Sequence, residues 1–308
     1  MIVNDYKINP FSPDFSHRID ELYENKDNPS KKLNKKEQNQ GLEDSLILTT
    51  KNLLPKIQAK LPRHFNARCI VTQKAFEQCT SEIIAQWKAF HFPAKSLLSL
   101  TGGLGMDDWA WSKSGSSVLS IDPDELLNRV VRHNWGKLNI SAERIGLTAE
   151  KWLSENTEQR FDLIYVDPDR RPMGGRKSFQ AEDYLPNVFE LVKAHGGMGK
   201  LWLIKLSPMT DPHWIFHRFD CYTEISAIGY RNEAKEILVL VDPHREKSET
   251  PQIDCIEIIE NAPQISGDGH VGKEQNDSST QEMVNFQGFR FSELQIDALP
   301  LNKTAMIW

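Results

Sequence analysis

The feature that most constrains this chain is an apolar run of strand length that passes directly into a glycine-rich turn. Residues 96–100 read Ser-Leu-Leu-Ser-Leu, and three of the next five residues are glycine. Glycine permits positive φ angles and close backbone approach, so such a turn can wrap tightly around a ligand. The helix expected after the turn would point free N–H groups, and the positive end of its dipole, at a bound anion. The stretch therefore predicts the first unit of a nucleotide-binding type of sheet, although a glycine-rich turn alone is weak evidence.

Strand and helix patterns alternate after this turn, which predicts an α/β fold. The last two predicted strands follow each other closely and are expected to form an antiparallel pair. The predicted strands are 96–100, 118–121, 140–147, 161–166, 201–204, 222–230 and 236–241. Together they predict a doubly wound, mostly parallel, seven-stranded sheet with one reversed strand.

The chain is expected to divide into three regions. The first is helical and contains a polar linker over 24–44, rich in lysine, asparagine and glutamine. Within this region, apolar residues at steps of three and four predict one amphipathic helix from Gln73 to Phe92. Pro55 is expected to break or begin an element. The three predicted regions are a helical N-terminal extension (1–92), the sheet domain (93–243) and a small C-terminal α+β region (244–308).

Beyond the sheet domain the periodicity is weaker. Short apolar runs predict strands at 253–259 and 286–291, separated by a polar loop over 261–279.

Composition excludes several classes of protein. With 39% apolar and 26% charged residues, the 308-residue chain is expected to fold in solution. We expect no membrane partner, since no apolar run approaches the roughly 18 residues of a membrane span. The four cysteines form no CxxC pair, which argues for a reducing cytoplasm and against a zinc site. The net charge of −6 gives no global nucleic-acid signature, so a polyanionic partner would need a local basic patch.

Polar residues follow four of the predicted strands, at the edge where ligands of such sheets bind. Asp122 ends the second strand, about 20 residues after the glycine turn, where a carboxylate can accept hydrogen bonds from both hydroxyls of a ribose. Taken alone, Asp122 could equally be a helix N-cap. Asp167-Pro168 ends the fourth strand and could accept a hydrogen bond from an amine. Lys205 ends the fifth strand, where it either faces the ligand cleft or extends along the sheet edge.

Two common nucleotide-binding patterns do not match. No Gly-Lys-Ser/Thr follows the turn, which excludes a P-loop. The dinucleotide pattern G-x-G-x-x-G lacks its third glycine, since Met106 and Asp107 follow Gly105. A nucleotide-dependent oxidoreductase of the Rossmann type would still share the glycine turn and Asp122, and it is the alternative interpretation.

Six short motifs, in order, give a closer resemblance. They are Lys60-Leu61-Pro62, Glu77-Gln78-Cys79-Thr80-Ser81-Glu82, Leu100-Thr101-Gly102-Gly103-Leu104-Gly105-Met106-Asp107, Asp167-Pro168-Asp169-Arg170-Arg171, Lys205-Leu206-Ser207-Pro208-Met209 and Asn232-Glu233-Ala234-Lys235-Glu236. Over about Lys56 to Leu240 the chain resembles a bacterial family of uncharacterised class I S-adenosylmethionine-dependent methyltransferases whose C-terminal part is THUMP-like. Two positions depart from the family pattern: Ser99 replaces an acidic residue and Ala234 replaces a cysteine.

The resemblance implies a Rossmann-like methyltransferase sheet, S-adenosylmethionine as cofactor, and RNA as partner through the THUMP-like tail. Residues 244–308 would be the start of that tail, in a shortened form. In this reading Thr148, with Glu150 nearby, stands at the position after strand three that often recognises adenine, and neither is assigned. The implied cofactor-binding residues are Thr101, Gly102, Gly103, Gly105, Asp107, Asp122 and Asp167.

The sequence also narrows the acceptor. The Asp-Pro motif lacks the aromatic residue that stacks on a base in exocyclic-amine methylation, because Asp169 and Arg170 occupy those positions. No cysteine follows strand five, which argues against carbon-5 chemistry. A nitrogen acceptor, or less readily an oxygen, is expected, with Asp167, Pro168 and Lys205 as catalytic residues.

Local charge favours an RNA substrate. Asp169, Arg170 and Arg171 are the expected substrate-binding residues, and basic residues occur nearby and in the linker. Those basic residues are Arg176, Lys177, Lys31, Lys32, Lys35 and Lys36. No metal is expected. A non-catalytic RNA-binding module is the other alternative, motivated by Ser99.

Overall fold

The structure is a computed structural model that describes residues 11–24, 41–170 and 184–259. Several predictions lie outside these residues. They are most of the linker, the loop and strand beyond residue 260, and the basic residues Arg171, Arg176, Lys177, Lys31, Lys32, Lys35 and Lys36. In the described part, no helix is long and apolar enough to cross a membrane.

In the residues described before the first strand there are five helices. They are α1 (Pro13–Glu24), α2 (Leu42–Lys60), α3 (Pro62–Asn66), α4 (Gln73–Gln78) and α5 (Glu82–His91). Two sequence predictions are wrong here. Helix α2 continues through Pro55, and the single helix predicted from Gln73 to Phe92 is two helices. The chain turns at Cys79–Ser81, where Thr80 directs its hydroxyl to the Asp107 carboxylate 2.9 Å away.

Strands and helices then alternate as the sequence predicts. The elements are β1 (Ser96–Ser99), α6 (Met106–Lys113), β2 (Ser117–Ile121), α7 (Glu125–Leu138), β3 (Ala142–Ile145), α8 (Ala149–Glu155), β4 (Phe161–Val166), β5 (Asp169–Arg170), β6 (Tyr184–Leu185), α9 (Val188–His195), a 3₁₀ turn (Gly196–Met198), β7 (Gly199–Leu206), α10 (Pro212–Arg218), β8 (Cys221–Tyr230), β9 (Glu233–Glu246) and β10 (Gln252–Ile258). Asp124, Thr148, Asn187 and Asp211 cap α7, α8, α9 and α10 through their side chains.

The main sheet has the order β10-β8-β9-β7-β4-β1-β2-β3, and β5 pairs with β6 in a separate two-stranded ribbon. Only β9 runs antiparallel to its neighbours, which confirms the mostly parallel sheet with one reversed strand and the antiparallel pair β8–β9. The sheet has eight strands rather than the predicted seven. The run predicted at 253–259 is β10, which pairs in parallel with β8 over seven residues because Ile253 and Ile258 gain buried positions there.

The sheet is covered on both faces, as expected for a doubly wound fold. One face packs against the N-terminal helices together with α6 and α7. The other packs against α8, α9 and α10. Because β1, β2, β4 and β7 are parallel, their carboxyl ends lie along one edge, and the loops that leave this edge form the candidate site.

Candidate cofactor-binding site

A cleft of about 930 Å³ lies at the carboxyl edge of β1, β2, β4 and β7. Its wall also includes α4 and the turn after it, so the N-terminal helices contribute to the site. The residues predicted from the sequence that line this cleft are Thr101, Gly102, Gly103, Gly105, Asp107, Asp122, Asp167, Pro168, Asp169 and Lys205. Residues separated by more than 100 positions thus meet in one cavity.

The glycine turn owes its path to two different constraints. Gly103 and Gly105 have φ angles of 51° and 76°, in the left-handed region that favours glycine. Gly102 has no such angle, but a Cβ there would lie well inside 3.0 Å of the Arg144 guanidinium and the Ser120 hydroxyl. The turn is therefore shaped by backbone conformation and by a buried arginine beneath it.

Asp122 is fixed at the rim of this turn. One carboxylate oxygen accepts a hydrogen bond from the Gly103 N–H at 2.8 Å, and the other accepts one from the Asp124 N–H at 2.9 Å. A carboxylate has about four acceptor positions. Asp122 can therefore accept further hydrogen bonds from a ligand without leaving its place. Asp124, not Asp122, is the helix N-cap of α7.

Beneath the turn lies the Arg144 cluster, which we define as Arg144, Asp108, Ser120, Asp122 and Asn128. The Arg144 side chain is fully buried on β3. All three of its guanidinium nitrogens are used: Nε donates to Asn128 at 2.7 Å, Nη1 to Ser120 at 3.0 Å and Nη2 to the Gly103 carbonyl at 2.8 Å. Asp108 and Asp122 each lie 3.5 Å from it. The turn therefore rests on a buried network in which each guanidinium nitrogen has a partner.

Burial raises the pKa of Asp108, although Arg144 and the Ser120 hydroxyl act in the opposite direction. Ser99 is fully buried in this neighbourhood. The acidic residue expected at position 99 is thus replaced by a serine whose surroundings already hold the Asp108 carboxylate.

A second group, the Lys88 cluster, lies under the opposite end of the cleft. We define it as Thr80, Lys88, Asp107, Tyr165, Asp167, Lys205 and Glu236. The Lys88 side chain is fully buried, and its Nζ lies 2.7 Å from Asp107 and 3.2 Å from Glu236. It also donates to the Tyr165 hydroxyl at 2.9 Å. One ammonium group from α5 thus connects the N-terminal helices to α6, β4 and β9.

Asp107 is already held by three side chains of this chain. Besides Lys88, the hydroxyls of Thr80 and Tyr165 donate to its Oδ2 at 2.9 and 3.0 Å. Burial alone would raise the pKa of Asp107, but Lys88 and Lys205 lower it, so the group is a carboxylate. Burial raises the pKa of Tyr165, which stays a neutral donor. Asp107 forms part of the cleft floor, and its direct contact with a cofactor stays a prediction.

Lys205 faces the cleft, as one of the two alternatives predicted. Its ammonium group forms an ion pair with the Asp167 carboxylate. Burial alone would lower the pKa of Lys205, but Asp167, Glu236 and Asp107 raise it, so Lys205 carries a positive charge. The Asp167 N–H donates to the Thr101 hydroxyl at 2.6 Å, which ties the end of β4 to the glycine turn.

Asp169 lies at the mouth of the cleft. Its two carboxylate oxygens accept hydrogen bonds from Lys74 and Gln78 of α4, each at 3.2 Å. These contacts join the N-terminal wall to the ribbon β5–β6 across the opening. Arg170 has only its backbone described, in β5, and Arg171 lies outside the described residues. Thr148 caps α8 and lines the cleft beside the exposed Glu150.

Sequence reasoning missed Arg144, Asp108 and Lys88, and it quoted Thr80 and Glu236 only as parts of motifs. Lys88 did leave a signal, since it is a basic residue placed among apolar neighbours at a position that the helix pattern assigns to the core, and Arg144 lies within a predicted strand. Their partners come from distant segments and carry no local mark. In the part of the chain that the structure describes, no group of three or more histidine, cysteine or acidic residues could hold a metal ion.

Comparison with known proteins gives structural matches only. No family model matches the chain, and no curated protein matches its sequence. The structure of a candidate methyltransferase from Porphyromonas gingivalis W83 superposes with a TM-score of 0.65 at 18% identity, covering 94% of this chain and 68% of that one. This likeness shows a shared fold.

Two other structures match about half of the chain. One is a SAM-dependent methyltransferase from Agrobacterium tumefaciens, with a TM-score of 0.40, 12% identity, and coverage of 52% of this chain and 61% of that one. The other is a candidate methyltransferase complexed with SAH, with a TM-score of 0.42, 8% identity, and coverage of 53% and 51%.

Proposed function

We propose that this chain is an S-adenosylmethionine-dependent methyltransferase that acts on a nitrogen, or less readily an oxygen, of RNA. The observation that carries the proposal is the meeting of the glycine turn, Asp122 and the Asp167–Lys205 pair in one cleft of a fold shared with a candidate methyltransferase. These features come from different segments of the sequence and line the same cleft, which supports the proposal.

The cleft fits the proposed cofactor in size and chemistry. Its volume of about 930 Å³ is within the range of small-molecule sites. Asp122 retains acceptor positions for ribose hydroxyls, and the glycine turn leaves no Cβ between the ligand and the backbone. At the other end, Asp107 and Asp167 place negative charge where the methionine ammonium and the sulfonium would lie. We propose the same cofactor residues as the sequence analysis, with Asp107 acting from the floor.

S-adenosylmethionine supplies a methyl group activated by a positively charged sulfur. The residues of the chain position and orient the donor and the acceptor, and they exclude water. Methyl transfer is an in-line displacement, so the placement of the acceptor atom is the main requirement. Helix α4 lines one side of the cleft, and its Lys74 and Gln78 side chains bind Asp169, which is also part of the lining. Pro168, buried directly after Asp167, fixes the backbone at the acceptor end.

Asp167 is the proposed base or orienting group. Its side chain is 32% exposed, more than that of any other carboxylate in the Lys88 cluster, so an acceptor N–H or O–H can reach it. The pair with Lys205 holds this carboxylate in one orientation. Because Lys205 is protonated, it acts as a fixed cation rather than as a base. This division of roles refines the catalytic assignment of both residues.

An RNA substrate is supported by the resemblance and by Arg170 and Arg171, which directly follow Asp169 in the sequence. Arginine suits phosphate groups because its planar fork of donors binds two oxygens at once. We also propose that residues 244–308 belong to a THUMP-like region that contributes to RNA binding, and that the protein acts in the cytoplasm. Strand β9 extends past residue 243 and β10 pairs with β8, so the first part of such a region would belong to the main sheet itself.

The test is the transfer of a labelled methyl group into total RNA from a strain that lacks the protein, followed by nucleoside mass spectrometry. We expect label in one nucleoside, and its loss with Asp167→Asn. Label in protein or small molecules alone would reject RNA as the substrate. Cofactor binding without any transfer would favour the non-catalytic RNA-binding module, and binding of NAD(H) in place of S-adenosylmethionine would favour the oxidoreductase.

A further inference from the structure

The Lys88 cluster contains an unequal number of charges. Its carboxylates are Asp107, Asp167 and Glu236, and its ammonium groups are Lys88 and Lys205. With every group ionised, the cluster carries one negative charge in excess. Carboxylate partners raise the pKa of Lys205 and hold it as a cation, Lys88 lies against two carboxylates, and burial raises the pKa of Tyr165, which is neutral. The excess negative charge is therefore carried by the three carboxylates.

Glu236 is the carboxylate of the cluster that is most easily neutralised, because it has the weakest set of partners. Asp107 is bound by Lys88, Thr80 and Tyr165, and Asp167 is paired with Lys205. Among the described residues, Glu236 has only the 3.2 Å contact with Lys88, and Lys88 makes a shorter contact with Asp107. Its side chain is 3% exposed. It lies under the cleft floor rather than in the cleft, so it acts on a ligand through its charge and not by contact.

We propose that Glu236 makes the site prefer a cationic ligand, and thereby favours the methyl donor over the spent product. This inference rests on the proposed function. S-adenosylmethionine carries an ammonium, a carboxylate and a sulfonium, for a net charge of +1. S-adenosylhomocysteine has the first two groups and a neutral sulfur. The charges of the two ligands differ at the sulfur alone. The negative charge of the Lys88 cluster would attract the sulfonium and not the neutral sulfur. Product release after transfer is thereby assisted by loss of the attraction.

The groups that face Glu236 come from each neighbouring element: Lys88 from α5, Asp107 from α6, Tyr165 and Asp167 from β4 and its end, and Lys205 from β7. Burial raises the pKa of Glu236, although Lys88 and Lys205 act in the opposite direction. A bound sulfonium would favour the ionised form of Glu236, and a neutral thioether would not. The preference for the donor should therefore weaken as the pH falls and Glu236 takes up a proton.

The experiment measures the dissociation constants of both ligands by calorimetry and compares their ratio, SAH over SAM, among variants. In Glu236→Gln the ratio is expected to fall about three- to tenfold, as for the loss of one charge at moderate distance in a partly screened site. A general loosening of the site would weaken both ligands and leave the ratio unchanged, so the ratio reports charge rather than structure.

Two further variants separate charge from packing. The double variant Lys88→Met/Glu236→Gln restores the excess of one negative charge and should return the ratio towards that of the wild type. Glu224→Gln removes the same charge from the same face of the sheet, four residues before Ile228, the residue of β8 that pairs with Glu236. This distance is about 13 Å, so the ratio should be unchanged.

The outcomes distinguish this inference from the function on which it rests. If the wild-type protein binds neither ligand, the proposed function is wrong. If it binds both and Glu236→Gln keeps the wild-type ratio, the charge inference is wrong. If Glu236→Gln does not fold, the wild-type ratio measured between pH 8 and pH 5 decides: a decrease at low pH supports the inference, and a constant ratio overturns it.

Discussion

The Arg144 cluster and the Lys88 cluster lie beneath two ends of the same cleft, yet they are built differently. In the Arg144 cluster every guanidinium nitrogen has a partner, and its members come from β2, β3, α6 and α7, within 37 residues of each other in sequence, from Asp108 to Arg144. In the Lys88 cluster two ammonium groups serve three carboxylates, drawn from segments between α5 and β9.

This difference separates support from function. The Arg144 network, in which every guanidinium nitrogen has a partner, fixes the shape of the glycine turn, and its cation is already paired without a ligand. A cluster with an excess negative charge in a partly exposed cleft is less stable by itself and is stabilised by a bound cation. We therefore expect substitutions at Arg144 to lower stability, substitutions at Asp122, which also lines the cleft, to lower ligand affinity, and substitutions in the Lys88 cluster to alter ligand binding.

The largest effect is expected from Arg144→Met. The change would leave the Asp108 and Asp122 carboxylates without their cation, and removing one partner of a buried ion pair costs about 3–5 kcal/mol. Denaturant unfolding would measure the loss. Arg144→Lys should recover little, because one ammonium group cannot reach the positions of three guanidinium nitrogens. A loss below about 1 kcal/mol for Arg144→Met would show that the network does not support the turn.

A smaller effect is expected from Gly102→Ala. The new methyl group would meet Arg144 and Ser120, which are buried and hydrogen-bonded and have no room to withdraw. We expect a loss of about 1–3 kcal/mol from overpacking, and a decrease in S-adenosylmethionine affinity of at least about tenfold. Gly103→Ala is the matched control, since its Cβ would have 3.9 Å of space and only its φ of 51° is unfavourable. Equal effects of the two changes on binding would contradict the close approach at position 102.

Glu236→Gln should affect stability in the opposite sense to Arg144→Met. A carboxyl group whose pKa is higher in the folded chain contributes stability that is lost as the pH rises from its unfolded pKa through its folded pKa. For Glu236 this loss begins near the ordinary value of 4.5. The variant cannot ionise, so at pH 7 to 8 it should lose no more than about 1 kcal/mol and can exceed the wild type.

The measurement for Glu236→Gln is thermal or denaturant unfolding at pH 4.5 and at pH 7.5. The stability of the variant relative to wild type should increase between these two pH values. A relative stability that decreases as the pH rises would mean that the ionised Glu236 stabilises the fold, and the Lys88 cluster would then be a support like its counterpart.

The smallest effect is expected at the mouth of the cleft. Lys74 and Asp169 form an ion pair with 76% and 43% of their side chains exposed, and such pairs contribute about 0–1 kcal/mol. Lys74→Met should therefore leave the free energy of unfolding within about 1 kcal/mol of the wild type. A larger loss would mean that the α4 wall depends on this bridge for its position.

Much of this architecture could be predicted from the sequence because it has a local signal. The runs at 118–121 and 161–166 are apolar and short, and each ends in an acidic residue where the polypeptide leaves the sheet. That pattern predicted the parallel strands and the residues at their carboxyl ends. The same pattern predicts that Asp122 and Asp167 lie at one edge of the sheet.

The rest depended on contacts between distant segments. The helix pattern from Gln73 to Phe92 is continuous in sequence, and the turn at Thr80 exists because its hydroxyl binds Asp107, which lies 27 positions away. The sequence predicts a strand at β10, but its place in the main sheet depends on pairing with β8. Arg144 and Lys88 required partners on other elements, and only the folded chain identifies them.

The central claim is that the cleft binds S-adenosylmethionine with the glycine turn and Asp122. Calorimetric titration of the wild-type protein and of Asp122→Asn tests it most directly, with Asp124→Asn as a control for the neighbouring helix cap. We predict saturable binding of one equivalent to the wild type, affinity lowered at least about tenfold in Asp122→Asn, and little change in Asp124→Asn. Absence of binding to the folded wild-type protein, or equal affinity of the wild type and Asp122→Asn, would contradict the account.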